Sequence, residues 1–180
     1  TLEIDTSQVD SWEAPYELVA KMRASTAVMG PLLGRFHRAK IAMPGGCNLG
    51  ARKIDMHILG LEALGVAFDT AHGYINASAP QGLRGTTVTL EFASVGATEN
   101  LIMASVRAKG TTVIDNAARE PEIVDLVNML NEMGAKIVGA GTPVLTIEGV
   151  EELHPVTHRV VGDRIEAGTF IVAGALMADD

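Results

Sequence analysis

Ile54-Asp55-Met56-His57-Ile58-Leu59-Gly60-Leu61-Glu62-Ala63-Leu64-Gly65-Val66, continued by Phe68 and Gly73-Tyr74-Ile75, returns further along as Val124-Asp125-Leu126 through Met133-Gly134-Ala135, followed by Ile137, Gly141 and Val144 to Ile147. In each copy apolar residues recur at helical spacing up to a glycine, Gly65 or Gly134, suited to a left-handed C-cap. Two short alternating strands follow around a glycine turn. The unit is helix, strand, turn, strand, and its repetition sets the fold class: α/β (α+β), with helices and strands interleaved.

Working outward, Ala24 to Leu33, Ala97 to Val106 and Ala167 to Leu176 also correspond, each apolar, rich in small residues and helical in spacing. Such helices suit close packing against one another in a buried centre. After the first two comes a short strand, Lys40 to Met43 and Thr111 to Ile114, and then a polar loop, Pro44 to Arg52 and Asn116 to Pro121. Loops held at corresponding positions of a repeated scaffold are where chemistry tends to sit. The chain stops at Leu176-Met177-Ala178-Asp179-Asp180, where the repeat predicts another strand, and its start lacks a complete first unit. The expectation is a chain cut at both ends, the alternative a natural terminus with a frayed helix.

Composition narrows the function classes. With 47% hydrophobic residues among 180, the chain has the apolar surface for a core, and with 4% aromatic that core is built from Val, Ile, Leu, Ala and Met around 19 glycines. The formal charge is −8 and the 14 Lys and Arg form no run, which argues against nucleic acid. A small anionic ligand stays open, because a few arginines can converge inside an acidic protein. One cysteine makes no internal disulfide, and no C-x-x-C or histidine cluster offers metal-ligand spacing. No stretch has the length of a membrane span and no export signal is read at the start, so the cytoplasm is expected.

Pro44-Gly45-Gly46-Cys47-Asn48-Leu49-Gly50-Ala51-Arg52 sets that thiol among glycines, between a strand and the helix expected to start near Ile54. Glycines let backbone approach a ligand, and free N–H groups at a helix start favour an anion, whether phosphate or thiolate. Arg52 adds positive charge. A lone cysteine is in most proteins an inert core residue, but a glycine-flanked polar loop is not where core cysteines sit.

This loop, with Asp55 and His57 behind it, resembles the active-site loop of UDP-N-acetylglucosamine enolpyruvyl transferases. Met22-Arg23-Ala24-Ser25, Ser94-Val95-Gly96-Ala97-Thr98, Asn116 to Glu122 and Asp163-Arg164-Ile165-Glu166-Ala167-Gly168-Thr169 resemble further blocks of the family, in order and with similar spacing over almost the whole chain. The cysteine loop separates it from the related shikimate-pathway enzyme. The resemblance implies an inside-out α/β barrel, helices buried and sheets outside, with the active site between two similar lobes. Residues 1–160 are then most of one lobe, its first unit incomplete, and 161–180 the start of the second.

It further implies transfer of the enolpyruvyl group of phosphoenolpyruvate to the 3'-hydroxyl of UDP-N-acetylglucosamine, with phosphate released through a tetrahedral intermediate. This is the committed step of peptidoglycan synthesis, and it uses no cofactor and no metal. By resemblance Cys47 gives the proton to the methylene carbon and is the residue fosfomycin alkylates; some relatives carry Asp there, which fits an acid. Arg23 and Arg52 match arginines at the substrate site, where guanidinium forks clamp phosphate oxygens. Arg52, Lys53, Ile54, Asp55 and Met56 match the segment embracing the uridine nucleotide, with Lys53 where many relatives have the more rigid Pro. Phe92, Ala93, Ser94 and Val95 match the turn that binds diphosphate at a helix start, where Ser94 is also a plain N-cap. Phe92 replaces a lysine of some relatives and brings no charge.

Glu120 and Glu122 do not read as an acid–base pair: Glu122 and Pro121 suit the first turn of a helix running to Met133. Glu120 is expected at a substrate or interdomain contact, and Asp163 and Arg164 at the crossover between lobes. His57 follows the nucleotide segment, and the other histidines read as surface residues. The family's base for the sugar hydroxyl, an N-terminal lysine and a distal arginine fall outside this stretch. The 180 residues alone are therefore expected not to turn over, the second lobe of the same polypeptide being the missing partner. Two alternatives remain, a nucleotide-sugar binding module and a non-catalytic paralogue of the same family.

Overall fold

The computed structural model describes residues 1–19, 21–43 and 54–177. In chain order the elements are β1 (Glu13–Ala14), α1 (Tyr16–Val19), a 3-10 turn (Arg23–Val28), α2 (Met29–Phe36), β2 (Arg38–Ala42), α3 (Asp55–Ala63), β3 (Ala67–Ala71) and β4 (Tyr74–Ser78). Then come β5 (Thr87–Thr89), α4 (Val95–Ser105), β6 (Thr111–Asp115), α5 (Pro121–Glu132), β7 (Lys136–Val138), β8 (Val144–Glu148) and α6 (Arg164–Met177).

The repeat is visible as two four-stranded sheets of identical design, ordered β1-β2-β4-β3 and β5-β6-β8-β7. In each, the first pair is parallel and the other two antiparallel. The repeating unit is thus larger than the sequence pattern showed, because each copy opens with a strand, β1 or β5, too short to display a period.

The glycine stops form as expected. Gly65 and Gly134 have φ of +96° and +101°. Val66 N–H reaches Leu61 O and Gly65 N–H reaches Glu62 O, and Ala135 and Gly134 repeat this on Leu130 and Asn131. These are Schellman closures, which satisfy the last carbonyls of each helix. His72 and Gly73, at φ +52° and +79°, join β3 to β4 in a two-residue turn with the twist a hairpin needs.

Each sheet buries one face. Ile41, Ile75 and Ala77 of the first and Ile114, Leu145 and Ile147 of the second pack against the helices. The centre is α2 against α4, and α4 is enclosed along its length: Ala97, Thr98, Asn100, Leu101, Ile102, Ala104 and Ser105 are all buried. Small residues permit this approach. A Cβ on Gly30 of α2 would lie 2.4 Å from the carbonyl oxygen of Asn100.

Two expectations need correcting. The helix read over Ala24 to Leu33 is a 3-10 turn followed by a shorter helix starting at Met29. Pro31 explains the break: it is accepted in the first turn of a helix and opposes a full α-helical turn in front of it. Second, α6 has the composition of α4 but no buried residue among those described; Ile165, Phe170 and Ile171 are 62–71% exposed. Among the described residues, Arg164 at its start is tied to Glu122 of α5, and no residue of the helix beyond it is buried. No helix of the described residues is long and apolar enough to cross a membrane.

Candidate active site

Cys47, Arg52 and Lys53 lie outside the described residues, and so does the side chain of Arg23; the geometry below is that of the elements around them. The Cys47 loop is bracketed by Met43 after β2 and by Ile54, the buried N-cap residue of α3. Asp55 opens that helix, where a carboxylate complements the dipole, and is exposed, while Met56 is half-buried and packs on the core.

Phe92 and Ala93 are exposed in the turn before α4, and Ser94 caps it. The backbone at Ser94 is extended, its hydroxyl accepts from Ala97 N–H at 3.4 Å, and its carbonyl accepts from Thr98 N–H at 2.9 Å. The amides of Val95 and Gly96 belong to the first turn, so the helix itself offers them no acceptor. The turn is a Ser cap and an N-terminal amide cluster at once.

The structure joins the first turns of α3 and α4. The buried His57 sets its ring against Gly96: a Cβ there would meet His57 Cε1 at 3.2 Å and Nε2 at 3.4 Å. Asn100, fully buried one turn deeper in α4, bonds to three other segments. Its Nδ2 lies 2.8 Å from His57 Nδ1 and 2.8 Å from Thr26 O in the 3-10 turn that Arg23 opens. Its Oδ1 accepts from Gly30 N–H of α2 at 2.7 Å. The segments expected to carry Arg23, Ile54 to Met56 and Ser94 to Val95 therefore share one buried side chain.

Asn100 is the residue that motif reading missed. The available signal was a buried-helix pattern interrupted by an amide, which favours turns and caps over helix interiors and so needs partners. A second link ties in the Asn116 loop, where Thr98 Oγ1 accepts from Ala118 N–H at 3.0 Å. Asn116 itself has φ +59° and donates from Nδ2 to Leu90 O.

The remaining candidates form a separate group along α5. Glu120 is the N-cap residue, and its carboxylate accepts from Arg119 N–H at 2.8 Å instead of capping. Glu122 receives a forked pair from Arg164, Nε to Oε2 at 3.0 Å and Nη2 to Oε1 at 2.8 Å. That hydrogen bonding holds the Glu122 carboxyl below its usual range and the Arg164 guanidinium above its own. Asp163 caps α6, its Oδ1 accepting from Ile165 and Glu166 N–H at 2.7 and 3.2 Å. Glu99 on α4 titrates above its usual value, first because it is partly desolvated and then because Glu122 lies near.

The chain matches the family model described as EPSP synthase (3-phosphoshikimate 1-carboxyvinyltransferase) over residues 1–180. It is 61% identical over 169 residues to UDP-N-acetylglucosamine 1-carboxyvinyltransferase 2 of Carboxydothermus hydrogenoformans. To the enzymes of that name from Geotalea uraniireducens and, numbered 1, from Staphylococcus aureus it is 54% and 56% identical. These alignments cover 94–99% of this chain, which spans 40–43% of the relatives' length. Among solved structures, the enolpyruvyl transferase NikO of Streptomyces tendae superposes with a TM-score of 0.76 at 27% identity, over 92% of this chain and 39% of that one. An EPSP synthase of Acinetobacter baumannii, 21% identical over 85% of this chain and 34% of that one, shares the fold at a TM-score of 0.64.

Proposed function

The chain belongs to the EPSP synthase family, and from that premise we propose that it is part of a UDP-N-acetylglucosamine 1-carboxyvinyltransferase. The observation that carries this reading is the 54–61% identity, over nearly the whole chain, to enzymes of that name. The loop from Pro44 to Arg52 supports it, since a thiol among glycines beside an arginine is a composition that folding alone does not require.

In the proposed reaction a base outside these 180 residues takes the 3'-hydroxyl proton of UDP-N-acetylglucosamine, the oxygen bonds to C2 of phosphoenolpyruvate, and the C2–C3 π pair takes the proton of Cys47 at C3. In the tetrahedral adduct the C2–O bond to phosphate then breaks and phosphate leaves with that pair, while a base takes a C3 proton and the C–H pair becomes the double bond of the enolpyruvyl ether. Arg23 and Arg52 hold anionic oxygens, bidentate recognition being the particular capacity of guanidinium. The backbone from Arg52 through Lys53, Ile54 and Asp55 to Met56 embraces the nucleotide, and the turn from Phe92 through Ala93 and Ser94 to Val95 receives its diphosphate on the α4 amides. Glu120, Asp163 and Arg164 stand at the passage to a second lobe, which completes the pocket. The place of action is the cytoplasm, where peptidoglycan precursors are made.

Substitution at Cys47 in a protein extended to the relatives' full length tests the assignment. Cys47→Asp should keep turnover, since a carboxylic acid also delivers a proton, and should escape fosfomycin. Cys47→Ser should lose at least about a hundredfold in kcat, the usual worth of a positioned acid. Equal activity of the serine variant would remove Cys47 from the chemistry.

A further inference from the structure

Asn100 has an amide whose orientation the fold dictates. Its Oδ1 accepts from Gly30 N–H at 2.7 Å, and its Nδ2 donates to the carbonyl of Thr26 at 2.8 Å. Turning the amide over would set NH2 against N–H at one end and oxygen against oxygen at the other, in a site fully closed to water. The NH2 end therefore also faces His57 Nδ1, 2.8 Å away. An amide nitrogen has no lone pair to offer, so Nδ1 is the acceptor and the imidazole carries its proton on Nε2. A proton on Nδ1 would confront a donor at that distance.

The locked ring lies with its Cε1–Nε2 edge along the first turn of α4, where Gly96 leaves the space it occupies. His57 directly follows the nucleotide segment Ile54 to Met56, and Gly96 directly follows Ser94-Val95 of the diphosphate turn. Resting on the functional reading above, we propose that Asn100 is a positioning residue. It fixes His57 as the neutral Nε2–H tautomer and so holds the nucleotide segment and the diphosphate turn as one rigid unit. Asn100 touches no substrate itself; it acts through His57, and its bonds to Thr26 and Gly30 anchor that unit to the 3-10 turn and to α2.

The test is a long-range nitrogen–proton correlation spectrum, at neutral pH, of the protein extended to its relatives' full length, with ring-labelled histidine. The expected His57 signature is an unprotonated, pyridine-type Nδ1 and a protonated Nε2. In Asn100→Asp the ionised carboxylate still accepts from Gly30, loses the bond to Thr26 O, and toward His57 can only accept. The proton is then expected on Nδ1, and affinity for UDP-N-acetylglucosamine should fall by about tenfold, the worth of one well-placed hydrogen bond. A purely structural role would lower stability without exchanging the two nitrogen signatures. Nδ1–H in the unsubstituted protein overturns the proposal, as does an unchanged tautomer with unchanged affinity in the folded variant. Should Asn100→Asp not fold, the unsubstituted spectrum decides alone. The expected tautomer in a protein indifferent to UDP-N-acetylglucosamine would uphold the Asn100–His57 lock and reject the nucleotide-sugar reading.

Discussion

His158 shows what one side chain far from the chemistry contributes. Its Nε2 lies 3.0 Å from Asp125 Oδ1 and its Nδ1 3.0 Å from Glu132 Oε2, both carboxylates belonging to α5. Both ring nitrogens donate only in the imidazolium form, so the hydrogen bond to Glu132, then that to Asp125, raises its pKa above the ordinary 6.5. A folded-state pKa above the unfolded one means that the stabilisation is complete below about pH 6.5 and is lost as pH rises through the higher folded value. The thermal midpoint of the protein should therefore exceed that of His158→Gln in mild acid, and the gap should close in the alkaline range. A gap independent of pH would refute the imidazolium clamp. Read from sequence, His158 is a surface histidine, because its partners lie 26 and 33 residues away and no local period records them. Asn100 was hidden for the same reason: its partners are 43 to 74 residues distant.

Among the elements, legibility followed length and local punctuation. The α3 and α5 helices and the β3–β4 hairpin were readable because their glycine stops, Pro121 and the apolar periods are all local signals. The short β1 and β5 were not; the splitting of the first core helix ahead of Pro31 had a local signal, the proline itself, which a single helix over Ala24 to Leu33 ignores. The small residues of α2 and α4 announce a close approach, but not that Gly30 is the point of contact with the Asn100 carbonyl. That approach permits Gly30→Ala to test the packing, since the new Cβ would stand 2.4 Å from a main-chain oxygen that cannot move alone. The expected cost is about 1–3 kcal/mol or more, read as a lower denaturant midpoint with unchanged slope. The exposed fork between Glu122 and Arg164 should matter much less to stability: Glu122→Gln is expected to cost at most about 1 kcal/mol.

At the scale of the whole molecule, α6 carries the argument. A helix apolar on all sides ordinarily belongs inside a larger body, and here Ile165, Phe170, Ile171 and Leu176 are 62–80% exposed. The chain spans 40–43% of its relatives' length, and we propose that a second lobe covers this helix. The 180 residues alone should then bind a hydrophobic dye more strongly than a full-length form, and should release no phosphate. Family and fold class were legible through the repeat and the Cys47 loop; the joining of the α3 and α4 turns through His57 and Asn100 was visible only once the chain was folded.

Acceptor-dependent phosphate release is the most direct test. A protein extended to the relatives' full length, given phosphoenolpyruvate, should release phosphate when UDP-N-acetylglucosamine is added, should not do so with shikimate 3-phosphate, and should fall silent on Cys47→Ser. A folded full-length protein that responds to shikimate 3-phosphate instead, or to neither acceptor, would contradict the account.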